Sequence, residues 1–330
     1  MDSAKQDPTW IYWKARGQLA ANPSATEPMR LEALAALQSI ASVKGFYEQL
    51  ALEELGQAIT APAKPEALTP QEKSVATQNA GLQRALTALS LGLRSEGNRE
   101  WNYSTNLHTP GGMSERELLA AADLACSKQV WDRCINTSDR TKTQIDFDQR
   151  FPMPLKETVL RKAKDIQLDP AYVYGLIRQE SRFITDAKSV VGAAGLMQVM
   201  PATAKWTAKK IGMTNFQAHQ ITDQEINVAI GTGYLKLVLD DFDGSMPLAA
   251  AAYNAGPSRS RNWRKGPVLE AAIWAENIPF NETRDYVKKV LSNTTNYAAI
   301  ITGQPQSLKA RLGTVGPRNA QAPAENTDLP

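Results

Sequence analysis

The chain has 330 residues, 42% of them hydrophobic and 22% charged, which allows two or three globular domains with a substantial core. A net charge of +3 without a dense Lys/Arg run gives no support to a nucleic-acid partner, and no stretch approaches the ~18 consecutive apolar residues of a membrane span. The two histidines, His108 and His219, are expected at the surface, and with no Cys/His cluster neither a metal nor another cofactor is expected. The opening MDSAKQDPTW lacks the basic start and apolar block of an export signal, so work outside the cytoplasm would require a mature or trimmed form.

Residues 1 to about 95 read as helical hairpins. Trp10, Trp13 and Ala15 lead one helix with Leu19, and Phe46, Tyr47, Leu50 and Leu55 lead a similar one, a spacing that suggests an α-solenoid. Trp10 and Trp13 are expected as exposed apolar surface on an array that looks cut at its start. The segment TAPAKPEALTP (60–70) is a proline-bearing connection, and helical patterning resumes from Gln71 through Leu86, Leu89, Leu91 and Leu93. After a predicted loop over 104–112, Ser114 caps a helix, with Glu117 completing a capping box. Cys126 and Cys134 would stand ~12 Å apart on one straight helix, too far to bridge, whereas a turn over 127–129 would bring them within reach; both arrangements stay open. Pro152 and Pro154 mark a boundary; helical patterning then runs from 155 to about 301, and the Gln/Pro/Ala/Gly-rich tail from 304 to 330 reads as unstructured. No segment alternates with period two, so little β-structure is expected and the fold class is all-α.

Chemistry concentrates in the second half. In DPAYVYGLIRQESRF (169–183), Asp169 can cap a helix and Pro170 suits its first position. Val173, Leu176, Ile177 and Glu180 then share one face, so a carboxylic acid stands where a Leu is expected. A carboxyl in apolar surroundings keeps its proton toward neutral pH, as a general acid requires. On spacing alone the commoner arrangement is a Glu whose stem is covered while its head reaches water; the motifs downstream reverse that weighting. SVVGAAGLMQVMPATAKW (189–206) has glycines that allow tight backbone passage but lacks a P-loop lysine. LAAAAYNAGPSRSRNW (248–263) is an Ala-rich helix broken at Gly256-Pro257, and NIPFNETRDYV follows at 277–287. The run DDFDGS (240–245) lacks the spacing of an EF-hand and reads as a helix-ending turn.

ESRF, SVVGAAGLMQVMP, AAYNAGP and IPFNETRDYV, in that order, resemble the catalytic domain of the soluble lytic transglycosylases, which cleave bacterial peptidoglycan. ALSLGLRSEGNREW and AADLACSKQVWDRCINTSDRT are similar to the linker and superhelical part of the same proteins. The resemblance implies a lysozyme-like, mainly helical catalytic lobe preceded by an α-superhelix: residues 1–85 as the end of the superhelix, 86–150 as a helical linker domain, 151–303 as the transglycosylase domain and 304–330 as tail. It implies peptidoglycan glycan strands as partner, a periplasmic location, and room for cell-wall protein partners on the helical array.

Carried over by residue, the resemblance implies that Glu180 is the single acid/base. It would protonate the oxygen between N-acetylmuramic acid and N-acetylglucosamine, then take a proton from the muramyl O6 as that oxygen closes a 1,6-anhydro ring. The substrate's own N-acetyl group would stabilise the charge at C1. Ser189 and Gln198 are candidate partners of the acetamide and hydroxyls, each with the alternative of fixing its own loop. Met200 would wall the groove, with Met197 in the core. Tyr253 would aim its hydroxyl at Glu180 or the reacting sugar, and Asn254 would tie its helix end to the following turn. Glu282 would contact substrate or make an internal bond or ion pair, with Arg284 or another Arg. Trp263 and Phe280 read as core filling more than as sugar-stacking faces. A muramidase on the same fold, or a non-catalytic glycan- or protein-binding scaffold, are the competing readings.

Overall fold

The computed structural model describes residues 6–21, 28–107, 111–319, 321 and 324–330, so His108 lies outside the described residues. Helices make up nearly all of the regular structure in them. The exception, apart from isolated bridges, is an antiparallel pair in which β1 (Leu269–Glu270) meets β2 (Thr314–Val315).

The chain forms two compact units. One consists of the chain up to Ala61, Leu155–Glu180 and the chain from Ala187 onward; the other consists of Pro62–Pro154 and Ser181–Asp186. In chain order the first three helices, α1 (Pro8–Ala21), α2 (Pro28–Ile40) and α3 (Phe46–Glu54), belong to the first unit. The second holds α4 (Pro70–Gln78), α5 (Ala80–Ser90), α6 (Arg94–Asn106), α7 (Glu115–Ser127), α8 (Trp131–Ser138) and the short α9 (Phe147–Arg150). The first unit resumes with α10 (Lys156–Asp165), α11 (Pro170–Glu180), α12 (Pro201–Lys210), α13 (Gln224–Asp241), α14 (Met246–Ala255), α15 (Pro257–Trp263), α16 (Ala271–Glu276), α17 (Asn281–Thr302) and α18 (Leu308–Leu312).

Three expectations need correction. A break after residue 85 would cut α5, which pairs with α6 as a hairpin; the divide falls instead at Ala61/Pro62, in the proline-bearing connection. The predicted loop begins later than residue 104, because α6 runs to Asn106. The tail is not unstructured where it is described: Leu308, Leu312, Val315 and Leu329 are buried, and Arg311 pairs with Asp169 at 2.6 Å. A few apolar anchors at the right spacing outweigh a polar, proline-bearing composition. Trp10 is 65% exposed as expected, whereas Trp13 is half-buried, its indole N–H donating to the Tyr47 hydroxyl at 3.1 Å.

In the second unit, Leu82, Trp101, Leu124 and Cys134 gather in one core cluster, with the Trp101 indole donating to Thr137 Oγ1 at 2.8 Å. Ser114 caps α7 with the expected box to Glu117. The chain does turn after α7, with Gln129 at φ 58°, and Cys126 and Cys134 are disulfide-bonded across that turn. Closing so short a loop constrains the unfolded chain by about 2–3 kcal/mol. Thermal melts with and without reductant should therefore show a transition lowered by several degrees on reduction; identical melts would mean that the bond contributes nothing.

In the first unit, α11 lies along α17. Gly175 is what lets them approach, since a Cβ there would run into the side chain and backbone of Thr294. Tyr174 stacks on Tyr297 with centroids 5.1 Å apart, and Arg178 donates to Asn293 Oδ1 at 3.2 Å. The polar run Asn293–Asn296 is buried yet satisfied, for Thr294 and Thr295 return their hydroxyls to carbonyls one turn back. The Ala-rich α14 buries Ala249–Ala252 and ends at Gly256, whose φ of 91° admits the turn into Pro257. From the other side α3 reaches α17 through Gln49, whose amide donates to Ser292 O and Asn296 Oδ1, both at 3.1 Å. The helix that faces Glu180 is thus held on several sides.

Candidate active site

Glu180 is the last residue of α11, and its side chain is half-buried. Tyr286, on α17, donates its hydroxyl to Glu180 Oε1 at 2.5 Å. No cation pairs with the carboxylate among the described residues. Loss of hydration pushes the carboxyl up to about 8; the Tyr286 hydrogen bond pulls it down and the charge of Glu282 pushes it further up. The carbonyls at the end of α11 also disfavour a negative charge there. At neutral pH this acid holds its proton.

Tyr253, on α14, is close enough to Glu180 that the carboxylate opposes its ionisation after burial has already done so. Its hydroxyl does not donate to Glu180, as the sequence suggested, but to the carbonyl of Met197 at 2.9 Å. The proton it would have aimed at the acid is committed to the neighbouring loop. Asn254 is likewise reassigned: it accepts the Thr283 hydroxyl at 2.6 Å and so ties α14 to α17 rather than to the next turn.

The loop from Ala187 to Met200 is knotted on its own backbone. Ala194 bridges both Lys188 and Val199, and the Asn227 amide reaches in from α13, donating to Ala194 O at 3.0 Å while accepting from Met197 N at 2.8 Å. Gly195, at φ 79°, has the Asn227 amide where a side chain would begin, with Ile221 O at 2.9 Å from the same point. Gly195→Ala combines that collision with left-handed strain of about 1–3 kcal/mol. We expect a clear loss of stability in chemical denaturation, and an unchanged midpoint would contradict this packing.

Gln198 spends both amide protons inside the loop, on Ala187 O at 3.0 Å and Gly195 O at 2.8 Å, and among the described residues nothing donates to its Oε1. Ser189 accepts from Ala193 N at 3.0 Å, again fixing the loop. Met197 is fully buried and Met200 is 40% exposed at the start of α12. Glu282 is exposed, and its neighbour Arg284 spends its guanidinium on Ile278 O, so the anticipated Glu282–Arg284 pair does not form. Phe280 is no core residue: it is 46% exposed, packed edge-on against Trp263 with Arg259 over its ring.

The acidic turn is tied up in ion pairs. Asp241 pairs with Arg261 at 2.8 Å, and Asp243 lies 3.3 Å from Arg264. No group of three or more metal-capable side chains assembles among the described residues, and no described helix is long and apolar enough to cross a membrane. His219 is exposed.

A transglycosylase SLT domain matches residues 157–271, and a soluble lytic transglycosylase helical domain matches residues 277–306. The soluble lytic murein transglycosylase of Salmonella typhimurium is 32% identical over 308 residues, 92% of this chain and 46% of that protein. Over residues 157–271 and 277–306 the chain belongs to the soluble lytic transglycosylase family. Among solved structures it is similar to an inactive Glu-to-Gln mutant of lytic transglycosylase Slt from Pseudomonas aeruginosa, with a TM-score of 0.78 and 35% identity over 92% of this chain and 48% of that one. The 70 kDa soluble lytic transglycosylase of Escherichia coli gives a TM-score of 0.76 at 29% identity, over 95% of this chain and 49% of that one. The chain thus spans about half the length of the soluble lytic transglycosylases it matches.

Within that family framework, Glu180, Tyr253 and Glu282 converge, and Gln198 and Ser189 belong to the loop bonded to Tyr253 through Met197. Tyr286 is the residue that sequence reasoning missed. It stands four positions after Glu282 in the same motif, hence on the same face of α17, and that spacing was the available signal.

Proposed function

We propose that this chain is a peptidoglycan lytic transglycosylase in which Glu180 serves as both acid and base. The observation that carries this reading is the setting of the Glu180 carboxyl: it accepts the Tyr286 hydroxyl at 2.5 Å, pairs with no cation among the described residues, and is pushed up to about 8 by loss of hydration. Glu180 donates that proton to the oxygen linking N-acetylmuramic acid to N-acetylglucosamine as the C1–oxygen bond breaks. The substrate's N-acetyl oxygen covers the charge at C1. The carboxylate, now steadied by the Tyr286 hydroxyl, takes the proton of the muramyl O6 as O6 bonds to C1. One C–O bond breaks and one forms, the first proton leaves on the N-acetylglucosamine hydroxyl, the O6 proton restores Glu180 to its acid form, and no water is consumed. An O6 held beside C1 has an effective concentration that water cannot match.

In this reading Gln198 Oε1 and the Ser189 hydroxyl bond the acetamide and sugar hydroxyls, Met200 and the exposed Phe280 supply apolar walls, and Tyr253 and Glu282 border the reacting sugar. That a Glu-to-Gln mutant of the Pseudomonas aeruginosa relative is inactive supports an essential glutamate in this reading. The site of action is the periplasm, with the N-terminal helical array open to protein partners of the wall.

The test is digestion of purified peptidoglycan, with the products weighed by mass spectrometry. Anhydromuramyl ends are the expected result. Hydrated reducing ends would make the protein a muramidase, and retention on sacculi without fragments would make it a binding scaffold.

A further inference from the structure

Tyr234, in the middle of α13, has no part in the mechanism above, yet both faces of its function are committed. Its ring packs on that of Tyr253, with centroids 5.4 Å apart and planes inclined by 55°. Its hydroxyl donates to the Pro330 carbonyl oxygen at 3.0 Å, and the residue is only 5% exposed. The segment 324–330 that supplies this acceptor is itself moored. Asn326 N–H donates to Asp241 Oδ1 at 2.7 Å, and Arg261 donates to Asn326 O and to Asp241 Oδ2, both at 2.8 Å. Leu329 is buried, and Glu325 stands 3.6 Å from Arg261. A docked tail therefore reaches the acid through two aromatic rings in contact.

We infer that Tyr234 is a positioning residue for the Glu180 reaction: clamped by residues 324–330, it holds the Tyr253 ring in place beside the acid and so keeps water from it. This rests on Glu180 being the proton donor. The groups that bear on the acid are Tyr286 and Glu282 from α17 and Tyr253 from α14; those that bear on Tyr234 are Arg261 from α15 and Tyr253. A smaller side chain at 234 leaves Tyr253 without its backing, lets the ring tilt, and admits water to the carboxyl. A better-hydrated carboxyl ionises at lower pH. Tyr234 would act through Tyr253 without touching the glycan, so the effect belongs in kcat rather than KM.

The test is kcat and KM on purified peptidoglycan, as a function of pH, for the 330-residue wild type, Tyr234→Leu, Tyr234→Phe and Leu329→Ala. Tyr234→Leu is expected to lower kcat about tenfold with KM within twofold, and to move the alkaline limb of kcat to lower pH. Tyr234→Phe keeps the ring but cuts the tether, and Leu329→Ala loosens the tether from its far end; each should lose about twofold, in the same direction. A folded Tyr234→Leu with wild-type kcat and an unmoved limb overturns the inference, as does a change confined to KM. Should the Leu variant fail to fold, wild-type kcat and limb in both of the others overturn it. These outcomes leave the assignment of Glu180 standing; a wild type without activity on peptidoglycan would sink both.

Discussion

Glu180→Gln is expected to reduce release of fragments from peptidoglycan by about 10³- to 10⁴-fold, since one side chain supplies the proton in both halves of the reaction. Gln keeps the shape and can still accept from Tyr286, so far-UV circular dichroism should not change. The same variant should be more stable than the wild type, by an amount that depends on pH. Below about 4.5 the carboxyl is neutral in the folded and the unfolded chain alike and costs nothing. As pH rises from there to about 8, only the unfolded chain gains by ionising, so the wild type loses stability progressively; above that range the loss is constant. At roughly 1.4 kcal/mol for each pH unit, the full loss is a few kcal/mol, up to about 5. Melts of both proteins between pH 4 and pH 9 should diverge as pH rises, and parallel curves would contradict a proton-holding acid.

Tyr286→Phe is expected to have the second largest effect. A hydrogen bond to a charged group contributes about 1.5–3 kcal/mol, so losing it when the carboxylate forms should slow turnover roughly 10- to 100-fold. The sign of its pH effect is opposite to that of a hydration change. Tyr286 favours the ionised form of Glu180, so removing it raises the carboxyl further and moves the alkaline limb of kcat to higher pH. A pH–rate profile of the variant checks both statements. A wild-type rate, or a limb moved downward, would remove Tyr286 from the reaction.

Glu180 was legible because period and chemistry disagreed: three apolar residues at helical spacing made the fourth conspicuous, and burial of the same face follows from the same spacing. The fold class was legible for a related reason, since the helical periodicity holds over most of the chain. Tyr286 lay within a motif already singled out, but an aromatic residue on a buried face reads as core until a partner is known. Tyr253 shows the converse. The sequence brought it to the site but could not say that the Met197 carbonyl, set by a loop knotted around Asn227, would compete for its proton. The tail and the break after Ala61 were hidden because both depend on where distant surfaces meet. Local composition near 304–330 carries no trace of the Asp241–Arg261 mooring, and the helix period within 62–154 is the same as in the helices before it.

The central claim is that one carboxyl, stripped of much of its hydration, keeps its proton at neutral pH. The direct measurement is a carbon-13 NMR titration of glutamate-labelled protein, with Glu180 assigned as the signal missing from Glu180→Gln. The account predicts a carboxyl titrating near 8. A midpoint near the ordinary 4.5 would contradict it.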